Sequence, residues 1–148
     1  MTQSYVIEMI EKSDISLRAR SKIHHPAGYS IQRHISDFDV LYTISGKHYF
    51  NIDGKEYISK PGDVHVLAPN SILSVHCDED SDQYYCHFTL KAQNKYDLTG
   101  SFVEHRLPDN CRGLAGLYKE QFEHSDKVEV PLVSSVSLIF KLFLVEML

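Results

Sequence analysis

The chain has 148 residues, of which 43% are hydrophobic and 24% are charged, and its net charge is −5 at pH 7. This length supplies one domain with a core of its own, and the composition is typical of a globular protein rather than a disordered or fibrous one. The acidic balance and the lack of a Lys/Arg cluster argue against direct binding to nucleic acid.

The cysteines and the ends of the chain predict a cytoplasmic location. Cys77, Cys86 and Cys111 are odd in number and lack a C-x-x-C spacing, which is typical of reduced thiols. The N-terminal residues include acids and lack the basic and apolar regions of a signal peptide. The most apolar segment, residues 136–148, contains a lysine and a glutamate and is too short to span a bilayer, so no membrane partner is expected.

Residues 1–30 carry a mixed pattern, from which we expect Tyr5–Ile7 to form a first strand and His24–Gly28 to form a turn. A steadier pattern follows. Apolar residues alternate with their neighbours from Phe38 to Ile44, which predicts a strand that is buried on one face.

The middle of the chain is predicted to form short strands separated by turns. Asp53-Gly54 is a strong hairpin signal, and Pro61-Gly62 and Pro69–Ser71 predict further turns. The predicted strands are His48–Ile52, Lys55–Ile58, Val64–Leu67, Ile72–His76 and Tyr84–Leu90, with an acidic loop at Asp78–Asp82. Short strands at this regular spacing predict a mainly β protein, either a barrel or a sandwich.

The sequence changes to a helical period near its C-terminus. An amphipathic helix is predicted by the spacing of Leu114, Leu117, Tyr118, Gln121 and Phe122. A second helix is expected from Pro131 on, and apolar side chains cover most of its circumference. One apolar face of this helix can cover the barrel, and the remaining apolar surface indicates that the helix also packs against a partner. Since Leu148 is preceded by neither a glycine nor a polar cap, we expect the chain to be cut before a further domain.

Two segments resemble the motifs of the cupins. The spacing Gly28-(x)5-His34-x-Ser36-(x)2-Asp39-(x)6-Gly46 resembles the first motif, G-(x)5-H-x-H-(x)3-4-E-(x)6-G, and the segment from Pro61 to Pro69 resembles the second. More narrowly, residues 37–46 (DFDVLYTISG) and 49–72 (YFNIDGKEYISKPGDVHVLAPNSI) are similar to the N-terminal effector domain of AraC-type transcription regulators.

This resemblance implies an architecture and a set of partners. The fold would be a cupin-like jelly-roll β-barrel with an N-terminal arm over residues 1–108, followed by two dimerising α-helices over residues 109–148. The protein would form a homodimer and bind a small-molecule effector, such as a sugar, inside the barrel. It would reach DNA only through a helix-turn-helix domain that lies outside this chain.

The cupin resemblance also bears on metal binding, because a cupin metal site takes three histidines and one carboxylate from the two motifs. His34 and Asp39 match the first motif, but Ser36 replaces its second histidine. The histidine of the second motif falls at Leu73-Ser74, and His76 would serve only after a shift in register. We therefore expect no catalytic metal and no cofactor, with His34, Asp39 and His76 as the nearest approach to a ligand set.

Five residues are candidates for contact with an effector. The family match places Tyr85 and His87 on the pocket side of the last strand. Arg33 corresponds to an arginine that contacts the sugar in the family's arabinose sensor; otherwise it forms a surface ion pair. Asp39 either bonds a ligand hydroxyl or faces outward. Arg18 lies on the arm that closes over the ligand in such proteins.

These expectations describe a receptor rather than a catalyst, with no catalytic residue. We expect the effector-sensing and dimerisation domain of an AraC-family regulator. Leu73 and Val75 stand where the arabinose sensor has polar residues, which favours a less polar ligand. The alternative is a stand-alone cupin enzyme that acts on a sugar or a small acid. The predicted dimer interface consists of Leu138, Phe140, Leu142 and Val145.

Overall fold

The computed structural model describes residues 3–12, 14–90, 104–124 and 141–146. Within these residues the strands are β1 (Ile15–His25), β2 (Ser30–His34), β3 (Phe38–Ser45), β4 (His48–Ile52), β5 (Lys55–Ser59), β6 (Val64–Leu67), β7 (Ile72–His76) and β8 (Ser81–Leu90). The helices are α1 (Gln3–Lys12), a 3-10 turn (Asp109–Cys111) and α2 (Arg112–His124). Residues 141–146 are also helical.

The strands form two four-stranded sheets that face each other. The strand order is β1-β8-β3-β6 in the first sheet and β2-β7-β4-β5 in the second, and the strand pairs are antiparallel. One buried cluster draws side chains from both sheets: Ile35, Leu41, Phe50, Ile52, Leu67, Leu73 and Val75. This arrangement confirms the predicted mainly β fold of the cupin or jelly-roll type.

In the first sheet, β3 and β6 are buried on both faces, because helices cover the outer side of this sheet. A second buried cluster joins the helices to this sheet through Val6, Ile10, Phe38, Val40, Tyr42, Phe88, Tyr118 and Phe143. Since alternate residues of a strand point to opposite faces, Asp39, Leu41 and Thr43 face the space between the sheets. The prediction that β3 is buried on one face only is therefore wrong.

The strands predicted from Phe38 to His76 are confirmed as β3 to β7, and α2 confirms the first predicted helix. Strand β8 begins at Ser81, earlier than the predicted Tyr84, because Ser81 and Asp82 pair with β1. The second predicted helix lies mostly outside the described residues.

The predicted strand at Tyr5–Ile7 is wrong, because these residues lie in α1. Val6, Met9 and Ile10 follow the helical i, i+3, i+4 spacing and pack against the first sheet. A short apolar run does not by itself distinguish a strand from a helix. The first strand is instead β1, which pairs with β8 from Ile15 to His25. Within the described residues, no helix has the length and apolar character that crossing a membrane requires.

Candidate functional site

A cavity of about 270 Å³ lies between the two sheets, where β1 and β8 face β2 and β7. Its apolar wall consists of Ala19, Ile23, Ile31, Leu73 and Val75. Its polar and aromatic wall consists of His25, Tyr29, Arg33, Gln83, Tyr85 and His87. An apolar lining with a few convergent polar groups is the usual character of a small-molecule site.

The cavity brings together three of the residues that the sequence analysis proposed for an effector. Arg33 lies on β2 opposite Leu73, whereas Tyr85 and His87 lie on β8. The pleat of β8 explains their direction: Phe88 packs under the helices, so its neighbour His87 faces the cavity. Ligand contact by these residues stays a prediction.

Asp39, the fourth candidate, lies beside Arg33 and His87 and is fully buried. Arg33 Nη2 is 3.7 Å from its Oδ2, and His87 Nδ1 is 3.8 Å from its Oδ1. Both distances exceed hydrogen-bond length, and neither carboxylate oxygen has a hydrogen-bond partner among the described residues. Burial raises the pKa of Asp39 to about 7, although the nearby Arg33 opposes this shift. The carboxyl group thus has unused capacity to accept hydrogen bonds.

The groups around Asp39 can both donate and accept hydrogen bonds. Burial lowers the pKa of His87, and the positive charge of Arg33 lowers it further, so the imidazole is neutral at pH 7. A neutral imidazole offers one donor and one acceptor, and a guanidinium offers only donors. The ring of Tyr85 lies edge-on to His87, with centroids 5.4 Å apart. A hydroxyl-bearing ligand would find complementary partners on this wall.

Arg18, the fifth candidate, lies apart from the cavity wall. It belongs to β1, at an irregularity between Leu17 and Ala19 where the pairing with β8 shifts. Its Nη1 is 3.4 Å from Asp37 Oδ2, which also accepts a hydrogen bond from Thr89 Oγ1 at 2.9 Å. The segment expected to be an arm therefore contains a paired strand, and the exposed Arg18 on this strand is paired with the buried carboxylate of Asp37.

The residues of the cupin metal motif do not converge. His34 is exposed and follows Arg33 in β2, so it lies on the strand face opposite the cavity. His76 lies on the outer face of the second sheet, where its ring stacks on Tyr49 with centroids 4.6 Å apart. Asp39 faces the interior instead. These residues do not fit a cupin-type ligand set.

A chain of hydrogen bonds inside the barrel was not predicted from the sequence. His25 Nδ1 lies 3.0 Å from His48 Nε2, and His48 Nδ1 lies 3.1 Å from Thr43 Oγ1. Thr43 Oγ1 lies 2.7 Å from Ser59 Oγ, which lies 3.3 Å from His65 Nδ1. Burial lowers the pKa of His48 to about 4 and that of His65 to about 3, so both rings are neutral at pH 7. The chain of bonds starts at the cavity, because His25 lines it.

A larger depression, of about 430 Å³, lies on the outer face of the second sheet between β4, β5 and β7. Its acidic and histidine side chains, Glu56 and His76, are exposed to solvent. Since exposed groups are already hydrated, they gain less from a ligand than the buried groups of the inner cavity do. The inner cavity is therefore the stronger candidate site.

Several solved structures are similar to this chain, and the sequence matches none of the curated proteins. The cupin domain of Schizosaccharomyces pombe Cnp3 is 16% identical with a TM-score of 0.47, over 55% of this chain and 67% of that one. A predicted oxalate decarboxylase of Thermotoga maritima is 19% identical with a TM-score of 0.45, over 61% and 75%. An RmlC-like cupin of Shewanella frigidimarina is 17% identical with a TM-score of 0.46, over 55% and 70%.

A family model gives the more informative match. Residues 18–100, which are more than half of the chain, match the model described as the AraC-like ligand binding domain. The matched residues include β2 to β8 and most of β1, and thus the strands that enclose the cavity. The chain therefore belongs to the family of AraC-like ligand binding domains.

Proposed function

We propose that this chain is the effector-sensing and dimerisation domain of an AraC-family transcription regulator, and that it acts in the cytoplasm as a receptor rather than as an enzyme. The observation that carries the proposal is Asp39, a buried carboxyl group beside a cavity, with both oxygens lacking hydrogen-bond partners among the described residues. Buried polar groups are nearly always hydrogen-bonded, so this exception requires an explanation. A ligand with hydrogen-bond donors supplies one.

The cavity wall limits the kind of effector that fits. Arg33 lines the cavity and donates hydrogen bonds, whereas Asp39 lies behind it, 3.7 Å from the guanidinium, and accepts them. A ligand that reaches both needs hydroxyl or amino donors and an oxygen acceptor. Leu73 and Val75 form an apolar surface, and the ring of Tyr85 offers a face for stacking. A small sugar or polyol derivative with one apolar side meets these requirements.

Two strands would connect the cavity to the helices. β3 carries Asp39 on its cavity face and Phe38 on its helical face, and β8 carries His87 and Phe88 in the same way. The rings of Phe38 and Phe88 stack with centroids 4.9 Å apart beneath the helices. A ligand that binds one arrangement of these strands better than another would shift the packing of the helical layer.

The proposed dimer interface belongs to the same layer. Leu138 and Phe140 lie outside the described residues. Leu142 is 50% exposed, although its neighbour Phe143 is buried against the first sheet, and Val145 is partly buried there. An exposed leucine beside a buried aromatic residue supports the proposal that this helix contacts a second copy of the chain.

The test is a thermal-shift screen of sugars, polyols, amino sugars and small acids, followed by calorimetric titration of any compound that stabilises the protein. Asp39→Asn should weaken the binding of such a compound roughly 10- to 100-fold, because it removes a charged hydrogen-bond acceptor. Asp14→Asn is the matched control, since Asp14 is exposed before β1 and should leave the affinity unchanged.

Two outcomes would contradict the proposal. One is a ligand that binds the wild type and Asp39→Asn equally well. The other is a screen in which no compound stabilises the wild type. Turnover of a sugar or an acid during the titration would instead favour a cupin enzyme.

A further inference from the structure

Three side chains of types that commonly ligate metal ions meet at one end of the barrel. His25, His48 and Cys77 are buried, with 6%, 0% and 1% of their surface exposed. One ligand atom from each residue, an imidazole nitrogen or the sulfur, lies within 4.8 Å of the other two. None of these residues belongs to the cupin metal motif.

The backbone holds these residues in place independently of any ion. His25 ends β1, His48 begins β4, and Cys77 directly follows β7. Cys77 is tied to the turn after β1, because its carbonyl accepts a hydrogen bond from Gly28 N at 2.8 Å and its own N–H donates to Tyr29 O at 3.0 Å. His48 and Cys77 are thus brought together by the pairing of β4 with β7 in the second sheet, and His25 of the first sheet joins them through the turn that bonds to Cys77.

The hydrogen bonding of the two histidines suits coordination. His25 Nδ1 and His48 Nε2 lie 3.0 Å apart, and one proton forms the hydrogen bond between them. When that proton leaves, each of the two nitrogens has a lone pair directed at the same region. The other nitrogen of His48 lies 3.1 Å from Thr43 Oγ1 and can donate to it. A hydrogen-bond partner on the second ring nitrogen is the usual support of a metal-bound histidine.

We propose that His25, His48 and Cys77 bind a thiophilic metal ion, Zn²⁺ or Cu⁺, at the buried end of the cavity. Two imidazoles and a thiolate are ligands that both ions prefer. On binding, the Cys77 thiol releases its proton to solvent, and the proton shared by the histidines moves to His25 Nε2. Three protein ligands complete a trigonal Cu⁺ site, whereas Zn²⁺ needs a fourth ligand, which a molecule in the cavity can supply.

The direct test titrates metal-free protein with Co²⁺, as a coloured substitute for Zn²⁺, and separately with Cu⁺ under anaerobic conditions. We expect one equivalent to bind, with a thiolate-to-Co²⁺ charge-transfer absorption. Cys77→Ser should abolish that absorption. Thr43→Val should weaken binding roughly 10- to 100-fold, because it removes the partner of His48 Nδ1. Competition between Zn²⁺ and Cu⁺ then identifies the preferred ion.

Two matched variants locate the site. Cys111→Ser removes another buried thiol, and His34→Gln removes the histidine of the cupin motif; both should bind like the wild type. X-ray absorption of the Zn²⁺-loaded wild type gives a reading that does not depend on how any variant folds. It should show one sulfur at about 2.3 Å and two nitrogens at about 2.0–2.1 Å.

The proposal would be overturned if the wild type binds less than one equivalent of metal ion. It would also be overturned if the bound Zn²⁺ has no sulfur among its ligands. A third contradicting result would be a thiolate-to-Co²⁺ charge-transfer absorption that survives in a folded Cys77→Ser variant or disappears in His34→Gln. When the effector screen is run on metal-free protein as well, its outcome is independent of the metal titration.

Discussion

Position 39 shows how a buried carboxyl group reduces stability. The Asp39 carboxyl is fully buried, and Arg33 and His87 approach it only to 3.7 and 3.8 Å. Because burial raises its pKa from 3.8 to about 7, the folded protein holds a proton that the unfolded chain has released. The free energy of unfolding therefore falls as the pH rises from about 4 to about 7, and the whole loss persists above pH 7.

Asp39→Asn should relieve this loss, because an amide of the same shape does not ionise. At about pH 8 we expect its free energy of unfolding to exceed that of the wild type by about 2 kcal/mol or more. The difference should shrink as the pH falls toward 4. Urea unfolding at both pH values measures it, with Asp14→Asn as the exposed control. Equal stabilities of Asp39→Asn and the wild type at pH 8 would show that Asp39 ionises normally.

Part of the candidate site was predicted from the sequence. Strand alternation and the family resemblance together pointed to Arg33, Tyr85 and His87, which the cavity unites. His25 was missed because it was assigned to a turn, whereas it ends β1. The interior hydrogen-bonded residues Thr43, Ser59 and His65 resemble ordinary polar strand residues. Thr43 and His65 belong to the first sheet and Ser59 to the second, so only the packing of one sheet on the other brings them into contact. Composition does not encode such contacts between sheets.

At the scale of elements, the strands were predicted correctly where the alternation of apolar and polar residues and the positions of the turn residues mark the same strand bounds, as they do from Phe38 to His76. It failed for β1, whose sequence ISLRARSKIHH contains many charged and polar residues. The sheet order explains this composition, because β1 is one of the two edge strands of the first sheet. Charged side chains are common on edge strands, where they discourage pairing with other molecules.

The turn between β3 and β4 depends on Gly46. This residue has a φ of +72°, and a Cβ at this position would lie 2.5 Å from the carbonyl oxygen of Asp80 and would also clash with Ser81 Oγ. Ser81 Oγ accepts a hydrogen bond from Lys47 N at 3.0 Å and donates to Lys47 O at 2.9 Å, so it ties the turn to the start of β8. We expect Gly46→Ala to lower the free energy of unfolding by at least ~3 kcal/mol, measured by urea unfolding.

Gly28→Ala provides the matched control. Gly28 also has a positive φ, of +88°, but a Cβ there would have no atom within 4 Å. The control should therefore show only the backbone strain of about 1–2 kcal/mol. If the two substitutions destabilise the protein equally, the close approach of β8 to the turn does not contribute to stability.

At the scale of the whole molecule, the first sheet lies between the regions of the two proposed functions. Its inner face lines the cavity, and its outer face carries the helical layer that includes Leu142, Phe143 and Val145. Residues on β3 and β8 alternate between these two environments. Effector binding and dimerisation are therefore expected to be coupled through the same two strands, and the coupling must be reciprocal.

The dimer proposal makes a specific prediction for Leu142, which is 50% exposed beside the buried Phe143. If this leucine becomes buried against a second copy of the chain, Leu142→Glu would place a carboxylate in an apolar interface. We expect the dimer dissociation constant to rise at least ~10-fold, as measured by light scattering over a concentration series. The melting temperature of the monomer should change little, because Leu142 faces away from the core.

Leu117→Glu tests whether the weakened dimerisation is specific to the helix at residues 141–146. Leu117 is about as exposed as Leu142, at 52%, but it lies on α2. It should leave the dimer intact. A wild type that stays monomeric at high concentration would contradict the proposal, and a dimer that only Leu117→Glu disrupts would move the interface to α2. Since the coupling is reciprocal, an effector that strengthens the wild-type dimer must bind the monomeric Leu142→Glu variant more weakly. Unchanged affinity in that variant would separate sensing from dimerisation.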